Sequence, residues 1–455
     1  MITNSRKDGK TRMQFNSIEF IFIFLPLFLA AYLVFPPKIR NVVLILGSLV
    51  FYVFASAGNY WWVAVLIACT VLTYVAGLSL EKRHDKDLLT LYLALMAALL
   101  VFFKLFAGGR YLPSGMSFYL FQMAAYLIDT YRLKYTPERS LLRFGAQMTF
   151  FPKLLSGPLM DPRQLQLQCK YCEPCYEDFH KGLQELILGL GLKVLLANRV
   201  GGLWSLASTG GYETISTPAA WMALIAYTMQ LYFDFYGYSL MAMGIGRMLG
   251  FDLPRNFDDP YASKTVSEFY RRWHVSLGLW FREYVYFPLG GSRRSSLRTI
   301  LNLAAVWLFT GLWHGVGGNY LLWAGFLCAL IICEHVFYGK YLKKSRVLGH
   351  VYTVFVILLS WVPFAVGDSA QMLIFLGRLF GIGCQVLNPQ DYVMWGMDYA
   401  GLLAAGVLLA TPWPRKLWER VRRSTAADAA LLAVFWLVVY YIATAAQDPF
   451  LYFQY

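Results

Sequence analysis

Two histidines lie in surroundings where an ionisable side chain is costly to bury. His314 stands in LFTGLWHGVGGNYLLWAGF (308–326), which contains no charged residue, and His274 stands in RRWHVSLGLW (271–280). A neutral imidazole takes a proton from a hydroxyl group that attacks a carbonyl carbon, for a rate gain of about 10²- to 10⁴-fold. A lone buried histidine in a soluble protein is more often structural, but two in glycine- and tryptophan-rich settings favour function. We expect His314 to be a general base and His274 a second catalytic residue.

The sequence offers no nucleophile of its own beside these histidines. Neither a G-x-S-x-G elbow nor an H-E-x-x-H zinc motif accompanies them. The pattern therefore favours direct transfer between two bound substrates, with no metal and no covalent enzyme intermediate.

Candidate binding residues adjoin both histidines. Arg271 and Arg272 precede His274, and a guanidinium group forms paired hydrogen bonds to phosphate while it stays charged. Such arginines suit a phosphate-bearing ligand, and they equally suit anchoring to anionic lipid headgroups, so both interpretations stay open. Trp273 and Trp313 join them as donor- or substrate-binding candidates because each is the immediate neighbour of a histidine.

A further polar site lies in YTMQLYFDFYGYSLMAMGIGRMLG (227–250). Gln230, Asp234 and Tyr238 follow one another at four-residue spacing and so share one helical face. A buried carboxylate needs a partner, for which an arginine or a tyrosine hydroxyl would serve. We favour a structural role for Asp234 over its other assignment, as a substrate-binding residue.

Three cysteines stand close together in CKYCEPC (169–175). The spacing is similar to that of metal ligands, and His180 would be a fourth ligand, but structural zinc sites usually use two separated pairs. We interpret Cys169, Cys172 and Cys175 as reduced loop thiols and expect no metal. The remaining four cysteines lie in or near apolar stretches, as small hydrophobic residues do.

The composition decides the class of protein. Of 455 residues, 58% are hydrophobic and only 15% are charged, whereas a soluble domain carries about 25% charged residues. The net charge of +14 does not indicate nucleic-acid binding, because the lysines and arginines lie in short loops between apolar runs. A soluble globular protein and a nucleic-acid-binding protein are both excluded.

Ten apolar segments approach the roughly 20 residues that cross a membrane as a helix. Two weaker candidates, Gly115–Ile128 and Gly182–Leu196, carry polar residues at or near their ends. We therefore predict an all-α integral membrane protein, a polytopic bundle of about 10–12 transmembrane helices. The ten are Ile18–Phe35, Asn41–Ser56, Tyr60–Leu80, Leu88–Phe103, Trp221–Met243, Ile300–Trp313, Tyr320–Ile332, Val351–Val366, Val393–Ala410 and Ala429–Ala446.

The basic residues predict the orientation. Lysines and arginines favour cytoplasmic loops, which places the N-terminus and the loop 208–217 outside. Two stretches, 144–162 and 257–294, are too polar or too broken by proline and glycine to face lipid, so we expect re-entrant or interfacial segments lining a cytoplasm-facing chamber. The basic clusters are Lys38/Arg40, Lys82/Arg83/Lys86, Arg132–Arg143, Arg247–Arg294, Lys340–Arg346 and Arg415–Arg423.

The chain shows no internal linker or repeat that would separate domains. Residues 1–12 are polar and precede a second methionine, so we expect a flexible N-terminal extension followed by a single transmembrane domain over 13–455. No cleavable signal peptide is evident, because the first apolar segment lacks a small-residue cleavage site.

Several motifs resemble the membrane-bound O-acyltransferase superfamily, over Met13–Tyr455. Within it, the chain is most similar to the bacterial polysaccharide O-acetyltransferase branch, which includes the alginate O-acetylation membrane subunit and its peptidoglycan and cellulose counterparts, with the teichoic-acid D-alanylation subunit as a cousin. The motifs are SFYLFQMAAYLIDTYR (117–132), FFPKLLSGP (150–158), YFDFYGYSLMAMGIGRMLGF (232–251), SEFYRRWHVSLGLWFREYVYFPLGG (267–291), TGLWHGVGGNYLLWAGF (310–326) and DPFLYFQY (448–455).

The resemblance implies a helical bundle around a central funnel or tunnel, with the two family histidines at His314 and His274. It implies an acetyl-CoA or acyl-carrier thioester donor on the cytoplasmic face of the bacterial plasma membrane, without a permanently bound cofactor. The acyl group would pass through the membrane to an extracytoplasmic, esterase-like (SGNH) partner protein and a polysaccharide.

Two other functions fit the same residues. A transporter or flippase for a lipid or glycan would use the histidines as a proton relay. A non-catalytic scaffold for a secreted enzyme would need neither histidine.

Overall fold

The structure is a computed structural model, and it describes residues 12–106, 112–293, 295–383 and 386–444. Throughout these ranges the ordered elements are helices, and the one extended pairing is an isolated antiparallel bridge between Phe257 and Trp273. The predicted all-α fold class is confirmed. The predicted flexible extension, residues 1–12, lies outside the described residues except for Arg12.

The α-helices run in chain order as α1 (Leu25–Val34), α2 (Pro37–Ala55), α3 (Tyr60–Arg83), α4 (Lys86–Val101), α5 (Met116–Tyr131), α6 (Leu141–Thr149), α7 (Phe151–Leu154), α8 (Pro162–Tyr171), α9 (Tyr176–Gly191), α10 (Asn198–Gly210), α11 (Thr217–Met248), α12 (Val266–Arg272), α13 (Val275–Phe281), α14 (Ser296–His314), α15 (Gly318–Cys333), α16 (Gly339–Lys344), α17 (Arg346–Ala365), α18 (Ser369–Leu379), α19 (Asp391–Leu409), α20 (Pro412–Val421) and α21 (Thr425–Thr444). Between or before them lie π-helical turns at Phe20–Phe24, Phe102–Phe106, Leu192–Ala197, Arg282–Tyr286 and Glu334–Tyr338, and a 3₁₀ turn at Pro260–Ala262.

Nine helical stretches of the described chain are long and apolar enough to cross a membrane, and two shorter apolar helices, Phe20–Val34 and Ser369–Leu379, accompany them. The protein is therefore a multi-pass membrane protein. The predicted span Trp221–Met243 lies inside α11, and Gly115–Ile128 begins one residue before α5 and otherwise lies within it. Neither helix is among the nine. The nine are Pro37–Ala55, Tyr60–Arg83, Lys86–Leu105, Tyr176–Gly210, Ser296–His314, Gly318–Lys344, Arg346–Ala365, Asp391–Leu409 and Thr425–Thr444.

The described residues form two compact units. The first lies within 1–189, 238–254 and 439–447, and the second within 190–237 and 255–438. The expectation of a single domain over 13–455 stays a prediction.

The first unit has an aromatic core. Phe15, Phe20, Phe24, Phe51 and Phe151 pack ring against ring, with centroids 4.9–6.4 Å apart for the contacting pairs. The stretch 144–162, predicted to be re-entrant, is almost wholly buried there. Burial inside protein explains why its broken helices tolerate a membrane setting.

The second unit contains both histidines. α14 ends at His314, the chain reverses through Gly315–Gly317, and α15 packs back along α14. A Cβ atom at Gly311 would lie 2.9 Å from Cβ of Ala324, and one at Gly315 would lie 2.4 Å from the Tyr320 ring. The small residues beside His314 therefore serve close helix packing.

Local capping fixes the short helix before His274. Thr265 Oγ1 accepts a hydrogen bond from the Glu268 amide at 3.0 Å, and Glu268 Oε2 accepts one from the Lys264 amide at 3.0 Å. Thr265 is thus the N-cap of the helix, and Glu268 binds the amide one residue before the cap, in a variant of the T-x-x-E capping box. It begins α12 at Val266, which brings Arg271 and Trp273 to the end of that helix.

Candidate active site

A cavity of about 680 Å³ lies inside the second unit. One stripe of α14 lines it at spacings of three and four residues, from Thr299 to His314. These positions share a helical face, and fifteen residues at about 1.5 Å rise span about 22 Å. The cavity therefore follows α14 along most of its length, and its lining residues on that helix are Thr299, Leu303, Val306, Trp307, Thr310 and His314.

The two ends of the cavity differ in chemistry. His314 and Trp323 line one end, where α14 meets α15. Because α15 and the turns after it run back along α14, Lys343 lies toward the opposite end. Glu334, which follows α15, likewise lies away from His314, whereas Trp323 and Phe364 surround the imidazole.

Aromatic rings enclose His314. The imidazole centroid lies 4.5 Å from Trp313, 5.0 Å from Trp323 and 5.1 Å from Phe364, and the residue is 8% exposed. Nε1 of Trp323 is buried and has no hydrogen-bond acceptor among the described residues, although this donor usually finds one when buried. The indole N–H is therefore available to a bound molecule.

His274 is held in an unusual backbone conformation between α12 and α13. Its φ and ψ of 48° and 53° are left-handed, a region that costs a non-glycine residue on the order of 1 kcal/mol or more. Asn256 secures the next two residues: its carbonyl oxygen accepts from the Val275 amide at 3.0 Å, and its Oδ1 accepts from Ser276 Oγ at 2.6 Å. The strain is thus maintained by specific contacts, which is typical of functional positions.

Burial sets the protonation state of His274. The side chain is 4% exposed, and its ring lies 4.7 Å from that of Phe235. Burial lowers the pKa of His274 to about 3, so the imidazole is neutral at physiological pH. A neutral imidazole both donates and accepts a hydrogen bond.

The structure brings the two histidines to the same cavity, although 40 residues separate them in the sequence. Trp313 lies near both, with ring centroids 4.5 Å from His314 and 6.4 Å from His274. Arg271 and Trp273 also line the cavity.

Three of the predicted binding residues are not among the described residues that line the cavity: Arg272, Trp313 and Asp234. Arg272 forms an ion pair with Glu268 at 2.7 Å, one turn earlier on α12. Asp234 forms a fully buried ion pair with Lys193. The predicted partner, an arginine or a tyrosine hydroxyl, was wrong in residue type, because a lysine from the π-helical turn before α10 approaches instead.

Sequence reasoning missed an acidic residue of the site. Glu334 lines the cavity and is 5% exposed. Its carboxylate accepts from the amides of Val266 and Ser267 at 2.6 and 2.9 Å, and from Ser267 Oγ at 2.7 Å. The signal was a lone acid at the end of the apolar run ALIICEHVFYG (329–339).

The lining of the cavity is basic. Arg271, Arg282 and Lys343 supply three positive charges, and Glu334, whose carboxylate caps α12, is the acidic lining residue among those described. An excess of cations in a largely apolar chamber favours an anionic ligand, such as one bearing phosphates.

The cysteine cluster lies in the first unit and does not gather ligands. Cys169 is buried, Cys175 is exposed, and Cys172 donates a hydrogen bond from its Sγ to the Gly250 carbonyl oxygen. Burial raises the pKa of the Cys172 thiol to about 11. Across the described ranges, no group of three or more His, Cys, Asp or Glu side chains has the geometry of a metal site. Cys384 lies outside the described residues.

Known proteins are similar in sequence to this chain over most of its length. The profile of MBOAT, the membrane-bound O-acyltransferase family, matches residues 48–358. The chain is 32% identical to a probable alginate O-acetylase AlgI of Azotobacter vinelandii over 443 residues, which cover 90% of this chain and 86% of that protein.

Two further relatives are named for other activities. A peptidoglycan O-acetyltransferase of Helicobacter pylori is 29% identical over 81% of this chain and 80% of its own length. A teichoic acid D-alanyltransferase of Bacillus subtilis is 27% identical over 46% of this chain and 54% of its own length. Together with the family match, these similarities confirm the resemblance seen in the motifs. The chain belongs to the membrane-bound O-acyltransferase family and is an O-acyltransferase.

Proposed function

We propose that the protein moves an acetyl group from a cytoplasmic thioester donor through the membrane, for O-acetylation of an extracytoplasmic polysaccharide. The activities for which the alginate and peptidoglycan relatives are named support a polysaccharide acceptor and an acetyl group. The bacterial inner membrane is the setting, because these acceptors belong to the cell envelope.

One observation carries this proposal: the cavity follows about 22 Å of α14 from a basic end to His314. A donor with phosphates suits the end with Lys343, and the basic connections of the chain favour the cytoplasm for such loops. An acyl group that enters there reaches His314 without crossing lipid.

His314 acts as the general base. It takes the proton of the acceptor hydroxyl while that oxygen forms a C–O bond with the acetyl carbonyl carbon. The C–S bond of the thioester breaks, and the proton passes from the imidazolium to the departing thiolate. No covalent enzyme intermediate is needed, in keeping with the absence of a nucleophile motif beside His314 in the sequence.

His274 and Arg271 bind the donor. The neutral His274 imidazole donates a hydrogen bond to the thioester carbonyl oxygen, where negative charge develops. Arg271 pairs with phosphate, which both acetyl-CoA and the phosphopantetheine of an acyl carrier contain. Of the other predicted binding residues, Trp273 lines the cavity. The described lining does not include Arg272, Trp313 or Asp234, and in this proposal they support the residues that do line it.

An extracytoplasmic partner receives the acetyl group or presents the polysaccharide. The motif resemblance suggests an esterase-like protein of the SGNH type in this role. Membrane lipids surround the spans, and no nucleic acid is involved.

His314→Ala in inner-membrane vesicles supplied with ¹⁴C-acetyl-CoA tests the function. We expect the label to reach the polysaccharide fraction with the wild-type chain and not with the variant, at unchanged membrane abundance. His350→Ala, at an exposed histidine outside the cavity lining, is the matched control and should keep activity. Labelled acetyl that never reaches a product, together with substrate movement that needs no thioester, would instead establish the transporter alternative. Full transfer by His314→Ala would remove the proposed base.

A further inference from the structure

Helix α20 has an apolar face that the protein leaves uncovered. Trp413, Leu417 and Val421 follow at four-residue spacing and are 78%, 59% and 40% exposed. They form one stripe of a ten-residue helix that starts at Pro412, the position where proline favours helix initiation.

Charge and position identify what this stripe faces. Lys416 and Arg420 flank the apolar stripe, and both are exposed. The helix connects two membrane-spanning helices, α19 and α21, so it lies where the chain emerges from the bilayer. An apolar stripe bordered by cations at that level fits the boundary between acyl chains and anionic headgroups.

The other side of α20 is tied to the segment that precedes the site. Arg415 forms ion pairs with Asp258, at 2.9 Å, and with Asp259. One turn later, Glu419 lies 4.0 Å from Arg255. Residues 415 and 419 point away from the apolar stripe at about 100° per residue, so the apolar stripe and the contacts with the loop lie on opposite sides of the helix.

That segment in turn holds His274. The Asp258 amide donates to the Arg272 carbonyl oxygen at 3.0 Å, and Phe257 bridges to Trp273. Asn256 binds the amide of Val275 and the hydroxyl of Ser276. Residues 256–259 therefore connect α20 to the strained backbone around His274.

We propose that α20 binds the anionic headgroups of the bilayer and that this binding restrains residues 256–276, so that anionic lipid controls the geometry of the cavity around His274. Each basic side chain near an anionic surface strengthens association about fivefold, so Lys416 and Arg420 together contribute roughly 25-fold. If residues 256–276 open only after α20 has left the membrane surface, their open state then becomes up to about 25-fold rarer.

Hydrogen exchange tests this proposal without relying on the acyltransferase reaction. The full chain is placed in nanodiscs of phosphatidylcholine alone or with phosphatidylglycerol, and exchange is followed at the amides of residues 256–276. We expect phosphatidylglycerol to slow this exchange in the wild type. The variant Lys416→Gln/Arg420→Gln should lose the effect, and the control Lys82→Gln/Arg83→Gln, with equal charge removed from another exposed connection, should keep it.

A third variant separates the two contacts of the helix. Arg415→Gln keeps the lipid-facing side of α20 and removes its ion pairs with Asp258 and Asp259, so we expect exchange at 256–276 to become independent of lipid charge. The proposal would be overturned if phosphatidylglycerol did not change exchange in the wild type. It would also be overturned if the Lys416→Gln/Arg420→Gln variant responded to phosphatidylglycerol as the wild type does. Loss of acetyl transfer with an intact lipid effect would count against the proposed function alone.

Discussion

The indole of Trp323 meets the imidazole of His314 nearly perpendicularly, with ring centroids 5.0 Å apart. Both residues line the cavity, and the Trp323 N–H has no acceptor among the described residues. The proposed general base and an indole N–H donor therefore lie side by side at the aromatic end of the cavity, a combination that suits acyl transfer to a hydroxyl.

Trp323→Phe should lower turnover with little loss of stability. The change keeps an aromatic ring and removes the N–H, and loss of one donor to a developing oxyanion costs about 10²- to 10³-fold in rate. Turnover of labelled acetyl and thermal unfolding in detergent check this. Trp280→Phe, a half-buried tryptophan outside the cavity lining, is the control. Equal turnover in the two variants would show that the Trp323 donor does not touch the reacting carbonyl.

Glu334→Gln should destabilise the segment that leads to Arg271. A carboxylate that accepts three hydrogen bonds loses its charge, and a hydrogen bond to a charged group is worth about 1.5–3 kcal/mol. We expect the variant to unfold at a lower temperature and to be cleaved faster by protease just after α12. Glu173→Gln, at an exposed glutamate outside the cavity lining, should leave both unchanged.

The Lys193–Asp234 pair gives a double-mutant prediction. Removing one buried partner leaves an unpaired charge and costs about 3–5 kcal/mol, so Asp234→Ala should unfold at a clearly lower temperature. Lys193→Met/Asp234→Leu should recover most of that loss because no charge remains buried. If Asp234 binds donor instead, the double variant will be stable but will show a raised KM for the thioester.

The stability of the protein should depend on pH through His274. Its pKa in the folded state is about 3 because of burial, against 6.5 for an exposed histidine. Between about pH 6.5 and pH 3 the unfolded chain binds a proton that the folded chain does not, so stability falls as the pH is lowered through this range. Unfolding of the wild type and of His274→Gln across this range should show a shallower dependence in the variant. Parallel curves would mean that another group produces the effect.

Periodicity and composition predicted the parts of the fold that depend on local sequence. The apolar runs around α14, α15 and α17 became spanning helices at nearly the expected residues. The α11 region was predicted as a span and is a helix of 32 residues, but Gln230, Asp234 and several tyrosines lower its mean hydropathy, so it is not among the nine. The sequence therefore predicted that these segments are helices more reliably than it predicted the number of membrane crossings.

Residues of the candidate site could be predicted where the residue type itself indicates a chemical role. The two histidines in glycine- and tryptophan-rich stretches are residues that line the cavity, whereas the partner of each charged residue depended on the tertiary fold. Arg272 is an exception that the sequence contained, since Glu268 stands four residues earlier on one helix. Lys193 and Glu334 meet their partners across 41 and 68 residues respectively, which no local pattern encodes.

The length of the cavity along α14 has a consequence for the ion gradients that the cell maintains across its membrane. An open aqueous pore through the hydrocarbon layer would let protons and other ions run down their gradients each time a donor left. Trp323 and Phe364, which line the cavity, lie 5.0 and 5.1 Å from the imidazole, and aromatic rings at a constriction hinder hydrated ions. In a chain that passes an acetyl group through the membrane as proposed, the rings beside His314 would therefore also have to keep the membrane electrically tight between turnovers.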